Sequence, residues 1–373
     1  MRNFGLDVVR SIAIIMVLIS HGRIFFGEYD LQWLSYNGLI GVEIFFVLSG
    51  YLIGRIIIKD VLPQNSFKPL FVFYQRRWFR TLPVYFLIMI LLIIIVGKHP
   101  NWTNLIFLQN FNEMHLGFMP VSWSLSIEEW FYLLIPPLFI IALLITRNNS
   151  RTTFFAICCL VILVVTIARF YYVLTINPTW DYGVRKQIFL RLDSIMFGVL
   201  LAGIKIYYPH VIEKLMRHRS CMYLLTTFLL LFCVFYYIFV LDAGKEAMNN
   251  SLFGRTIFFN VISVSSGFLV ITLSEDQKLN SFFRGSRSEK AFYFFSVTSY
   301  SVYLVHYELF VYLQRYIVNS SFEVKSLYLI ASILSIYLIS SLIYFFYEKP
   351  ILRFRDKITA KKRINQEGLQ VRL

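Results

Sequence analysis

Ten apolar windows of near-spanning length follow one another along the 373 residues, and a chain built this way has few folds open to it. They cover roughly 4–24, 38–58, 80–96, 123–145, 154–174, 187–206, 222–241, 256–273, 296–317 and 325–347. In lipid each backbone N–H and C=O must be satisfied within its own segment, so such windows fold as helices and pack as a bundle. Composition agrees: 58% of the residues are hydrophobic, only 15% are charged, and the mean hydropathy of +0.64 is far above that of a soluble domain. The expected fold class is all-α, a polytopic membrane helical bundle of about ten transmembrane helices. The first window is long enough to span and no small-residue cleavage site follows it, so no cleaved leader is expected. Cys158, Cys159, Cys221 and Cys233 have neither zinc-like spacing nor the look of a disulfide framework.

The loops sort by charge into alternating sets. One holds Lys59, Lys68, Arg76, Arg77 and Arg80, then Arg147 and Arg151, then Lys214, Arg217 and Arg219, then Lys278, Arg284, Arg287 and Lys290, and ends with the tail from Lys349. The other (25–37, 97–122, 175–186, 242–255, 318–324) has few Lys or Arg and several acids. The positive-inside rule puts both termini in the cytoplasm over ten crossings without conflict. It also accounts for the net charge of +15, so no nucleic-acid partner is expected. The expected organisation is a membrane domain over 1–350 and a basic cytoplasmic tail over 351–373 beside anionic lipid.

Charged side chains inside such helices are costly and tend to face a bundle interior or a wet path. In the first window Arg10 and His21 close to within roughly 20° of whole turns, with Asp7 about 40° away, so all three share one face; Arg10 and His21 are about 16 Å apart along the axis. Two readings are open: a functional face, or an Asp7–Arg10 packing pair with an interfacial His21. The second window carries Glu43 near its outer rim and Ser49-Gly50 near mid-depth, a pair that suits close helix approach or a backbone contact to a ligand. Arg77 and Arg80, three apart and interleaved with Tyr74, Trp78 and Phe79, form either a phosphate clamp with a stacking ring or an ordinary topological cluster.

The fourth window opens Trp123-Ser124-Leu125-Ser126-Ile127-Glu128-Glu129. Glu128, four residues from Ser124, shares its face and is expected at the depth of His21, where a carboxylate could orient the imidazole. Arg169 closes the fifth window, and Arg191 with Asp193 opens the sixth, as a rim pair or as site residues. The ninth carries Ser299 through His306, where His306 is either functional or a satisfied core histidine, and the tenth ends Tyr347-Glu348-Lys349-Pro350.

Together these motifs resemble the acyltransferase-3 family of integral membrane O-acyltransferases. The pieces are Leu6-Asp7-x-x-Arg10-x-x-Ala13 with His21, Gly41 to Ile53, Phe73-Tyr74-x-Arg76-Arg77-x-x-Arg80-x-x-Pro83, Trp123 to Tyr132, Ser299 to His306, and Tyr347 to Pro350. Glu43 and Tyr51 stand where the family usually has Asp and Phe. Some relatives continue into an extracytoplasmic hydrolase-like domain; the expectation here is that the membrane part or a separate partner completes the transfer.

The resemblance implies transfer of an acetyl group from cytoplasmic acetyl-CoA, a donor substrate rather than a bound cofactor, to a sugar hydroxyl. The acceptor would be a surface polysaccharide or glycolipid such as O-antigen, lipid-linked at a cell inner membrane. Expected catalytic residues are His21 as general base, Glu128 and Arg10. Arg77, Arg80, Ser49 and Tyr74 are expected on the donor, with Ser49 a polar contact or a covalent acyl carrier. Asp7, Glu43, Ser124, Arg191, Asp193 and His306 are expected as acceptor-side or structural polar groups; no metal is expected. Competing readings are transfer of another acyl group such as succinyl, and a transporter or flippase of glycan intermediates.

Overall fold

Each of the ten windows is a helix in the computed structural model, which describes residues 3–29, 31–64, 66–111, 114–146, 150–242 and 246–370. Arg147 and residues 371–373 lie outside them. The long helices are α1 (Phe4–Gly22), α2 (Ser35–Ile56), α3 (Lys68–Val96), α4 (Trp123–Thr146), α5 (Ser150–Ile176), α6 (Leu192–Tyr207), α7 (Arg219–Asp242), α8 (Phe258–Glu275), α9 (Arg287–Gln314), α10 (Phe322–Ile343) and α11 (Lys349–Gln370). No strand occurs among the described residues.

Eight helices are long and apolar enough to cross a membrane. The other two of the ten, α6 with only 16 residues and the polar α9, are placed by their neighbours. Asp7 and His21 of α1 meet Ser296 and His306 of α9, so this pair is parallel. Gly50 and Gly54 of α2 meet Ile195 and Ala202 of α6, again parallel. In contrast, Gly38 and Gly41 of α2 lie against Ser20 and Ala13 of α1, an antiparallel pair. In these three pairs odd runs with odd and even with even, as alternate crossing requires. The chain is a multi-pass membrane protein. Leu224, Phe235 and Phe239 of α7 and Leu334 and Leu338 of α10 are each more than 60% exposed, which in an aqueous fold would be a liability and here is the lipid surface.

The tightest seam joins α2 to α6. A methyl carbon on Gly50 would lie 1.9 Å from the Ile195 carbonyl oxygen, and one on Gly198 would lie 2.0 Å from that of Val47. Small residues on both helices let the backbones meet, and this accounts for Gly50 through packing rather than ligand contact. Beside the seam, buried Arg191 bonds to Glu43 and, at 2.8 Å, to Ser194. Arg169 holds Asp193 at 2.8 Å and donates to Asn260. The expected Arg191–Asp193 pair therefore does not form. Residues two apart on a helix diverge by about 200°, and each finds its partner on another helix.

After α10 a π-helical turn, Tyr344–Glu348, leads into α11. The basic tail is helical through Gln370, and its first turns lie on α3: Phe354 meets Phe79 with ring centroids 6.3 Å apart, and Arg355 donates to the Arg76 carbonyl.

Candidate active site

A cavity of about 140 Å³ lies between α1, α2, α3, α4 and α9, and it gathers six of the polar residues singled out above. Arg10, Ser49, Arg77, Arg80, Ser124 and Glu128 all line it. The helical period explains α4: Ser124, Glu128 and Tyr132, each four apart, form one face. Tyr132 donates to Glu128 at 3.0 Å, and its oxygen is 2.5 Å from Ser49 Oγ. With the tyrosine proton committed to the carboxylate, Ser49 is the donor in that contact, giving a chain Ser49–Tyr132–Glu128. The Arg77 guanidinium lies 5.3 Å from the Tyr132 ring centroid. Arg80 is ion-paired to buried Glu348, whose second oxygen accepts from Ser301. The π turn thus aims the carboxylate of the Tyr347-Glu348-Lys349-Pro350 motif at an arginine of the cavity.

Tyr74 does not reach this cavity. Pro137 has no N–H, so the Leu133 carbonyl one turn earlier lacks its helical donor, and the Tyr74 hydroxyl supplies one at 3.0 Å. Tyr74 stacks on Trp78 instead of standing free for a ligand.

His21 opens on two other basins, of about 650 and 550 Å³, past the far end of α1. Its partner is His306, with Nδ1 of His21 2.7 Å from Nε2 of His306 and the rings within 10° of parallel. Nδ1 of His306 lies 3.1 Å from the Val302 carbonyl oxygen, which can only accept. The proton of neutral His306 is therefore on Nδ1, its Nε2 accepts, and His21 must donate from Nδ1. That assignment, made from the network, leaves Nε2 of His21 with a free lone pair.

Glu128 is not the partner of His21. The antiparallel register of α1 and α2 sets Gly38 beside Ser20, so Ser49, three turns further along α2, is level with the Arg10 end of α1. Glu128 is tied to Ser49 through Tyr132 and shares that level. The depth read from the apolar window failed because α4 starts below the surface: Gln109, Asn110 and Ser122 before it are fully buried. Between the two compartments stands Tyr303, whose hydroxyl donates to the Val121 carbonyl and lies 2.6 Å from Ser124 Oγ. Its ring centroid is 5.7 Å from that of His306.

The remaining polar residues brace the bundle. Asp7 accepts from Ser296 at 2.7 Å, and Arg10 donates to the same hydroxyl at 3.0 Å, so the two are bridged through α9. Glu43, Arg191 and Asp193 lie in the α2–α5–α6–α8 core, with Ser263 donating to Glu43. At the His21 end, Asp181 bonds Arg185 at 2.5 Å and Lys186 at 2.6 Å. Burial pushes its carboxyl upward, but these two cations outweigh that and hold it below the usual carboxylate range. Tyr132, Tyr303, Glu348 and the Asp181–Lys186 turn escaped the sequence reading as site residues. Tyr132 had a signal in the four-residue period from Ser124, Tyr303 in the same period from Ser299, and Glu348 in its motif.

An arginine-rich cavity and a histidine dyad thus lie inside one multi-pass bundle. A family model for the acyltransferase domain matches residues 3–345, and the chain belongs to the acyltransferase-3 family. Among relatives, it is similar to the O-acetyltransferase OatA of Staphylococcus aureus, 28% identical over 93% of this chain and 57% of the relative. A putative O-acetyltransferase of S. aureus strain COL is 34% identical over 35% of this chain and 23% of its own length. The chain thus spans a little over half the length of the first of these. No solved structure matches it.

Proposed function

We propose that this chain transfers an acetyl group from acetyl-CoA to a sugar hydroxyl of a surface polysaccharide or glycolipid, across the inner membrane of its cell. The observation that carries the reading is the two-ended site on α1: three arginines line a cavity at one level, and a histidine with a free ring nitrogen opens on basins about 16 Å further along the axis. Its relatives, named as O-acetyltransferases, support the choice of acetyl. The positive-inside pattern makes the arginine level the cytoplasmic side and the His21 basins the outer side.

The division of labour follows from that separation. Arg10, Arg77 and Arg80 hold the anionic donor, and the pantetheine arm carries the thioester past Tyr303. Arg10 is too far along the axis from His21 to act on charge forming there, so it is a donor group. Nε2 of His21 takes the proton of the acceptor hydroxyl as that oxygen attacks the thioester carbonyl. The C–S bond then breaks, and the imidazolium returns the proton to the departing thiolate. Glu128 sits with the donor, at the end of the chain from Ser49. The one-step route needs no acyl-enzyme.

The test is purified protein in proteoliposomes with radiolabelled acetyl-CoA and glycan acceptor. Label fixed to glycan by the wild type and lost in His21→Ala, with the variant still in the membrane, supports the reading. Wild-type glycan acetylation by His21→Ala overturns the assignment of the base, and label moved but never fixed overturns acyl transfer in favour of transport.

A further inference from the structure

The 550 Å³ basin beside His21 carries more positive charge than topology asks for. Arg23, Arg185 and Lys186 line it, against Asp181 as the one carboxylate. Asp181 is already shared between Arg185 and Lys186, and Arg23 has no carboxylate partner among the described residues. Three other cations at this end of the bundle are committed elsewhere: Lys98 to Glu308, Lys325 to Glu28, and Arg255 to Asn177 and the Pro178 carbonyl. Loops on this side are the ones poor in Lys and Arg, so convergence of three cations on the His21 basin is not explained by positive-inside bias.

Aromatic rings surround the same charges. The Arg185 guanidinium lies 4.9 Å from the Trp123 ring centroid and 5.6 Å from that of Trp180, and its Nε is buried without a partner. Lys186 lies 4.2 Å from the Tyr182 ring. A guanidinium packed between rings is preorganised for an oxyanion, and flat apolar faces beside it suit the body of a sugar.

We propose that this basin is the acceptor site, and that the acceptor is an anionic saccharide. Its phosphate or carboxylate docks on Arg185, Lys186 and Arg23 and places a neighbouring hydroxyl at His21. This rests on the reading of His21 as the base. The oxyanion has two sources, the diphosphate of a polyprenyl carrier or a carboxylate on the sugar.

Four probes separate them: a polyprenyl-diphosphate oligosaccharide, the same oligosaccharide without lipid and diphosphate, a uronic-acid oligosaccharide, and its carboxyl-reduced form. In proteoliposomes with acetyl-CoA, the anionic member of at least one pair should show a KM about tenfold or more below its neutral counterpart. Lys186→Gln and Arg23→Gln should raise that KM with a much smaller change in kcat and in donor affinity. Arg23→Gln removes no ion pair among the described residues, so it keeps the test open if Lys186→Gln fails to fold. Equal KM for charged and neutral members of both pairs, or no response to either variant, overturns the proposal. Binding is also read without donor, from the fluorescence of Trp123 and Trp180. If no acceptor is acetylated the transfer reading fails, while charge-selective quenching lost in Arg23→Gln still upholds the anionic site and non-selective quenching still refutes it.

Discussion

His306→Ala is the perturbation that most directly probes the chemistry of the dyad. The substitution removes the acceptor that holds the proton on Nδ1 of His21, 2.7 Å away. It leaves that N–H to be desolvated without a partner, a penalty of about 1–3 kcal/mol, or about 5- to 150-fold in the population of the tautomer with a free Nε2. The expected loss in kcat has that size, toward or under the low end of the about 10²- to 10⁴-fold expected for losing a general base outright. His306→Gln keeps a carbonyl oxygen able to accept in the same direction, so it should recover most of the rate. The assay is initial rate of label transfer in proteoliposomes from pH 5.5 to 8.5, beside ¹⁵N spectra of the histidine rings. A His306→Ala enzyme with wild-type kcat, or a neutral His21 carrying its proton on Nε2 in the wild type, would refute the argument.

Four further outcomes are expected. Gly50→Ala and Gly198→Ala place a methyl group inside a carbonyl contact, so each should destabilise the bundle by about 1–3 kcal/mol, read as a lower melting temperature in detergent. Glu43→Gln leaves fully buried Arg191 without its carboxylate; a loss of about 3–5 kcal/mol and poor recovery of folded protein should follow, and a wild-type melting profile would count against the pair. Arg80→Gln and Glu348→Gln act on one ion pair, so each should weaken CoA binding by about tenfold and the double variant by little more; additive effects would uncouple them. Ser49→Ala should slow transfer less than tenfold if it only lines the donor cavity. Abolished turnover, with acyl-serine trapped in the wild type, would replace the one-step route.

What was legible in the sequence is what depends on periodicity within a single helix. Ten apolar windows became ten helices, and Arg77 with Arg80, or Ser124 with Glu128, face the cavity as their spacing requires. Helix α3 begins at Lys68, a dozen residues before its window, because the basic run Arg76 to Arg80 continues the helix beyond the apolar core. What depends on which helices meet was not legible. His306 is 285 residues from His21 and pairs with it only because α1 and α9 pack in parallel. Glu128 was placed by window depth, and a recessed helix start moved it to another compartment. The Arg191–Asp193 pair could have been rejected from sequence, since an i,i+2 spacing points the two side chains apart.

The Glu43–Arg191 pair has a consequence for how the protein is made. The two residues are 148 positions apart, on α2 and on the turn that leads into α6. At about 5–20 residues per second of synthesis, α2 enters the membrane about 7–30 s before its counter-charge exists. For that interval a carboxyl group sits in the apolar phase without its arginine, and a bare charge there is costly. Helix α2 is therefore expected to stay at the insertion machinery, shielded from lipid, until α6 arrives. The finished bundle hides a charge that its own assembly has to carry.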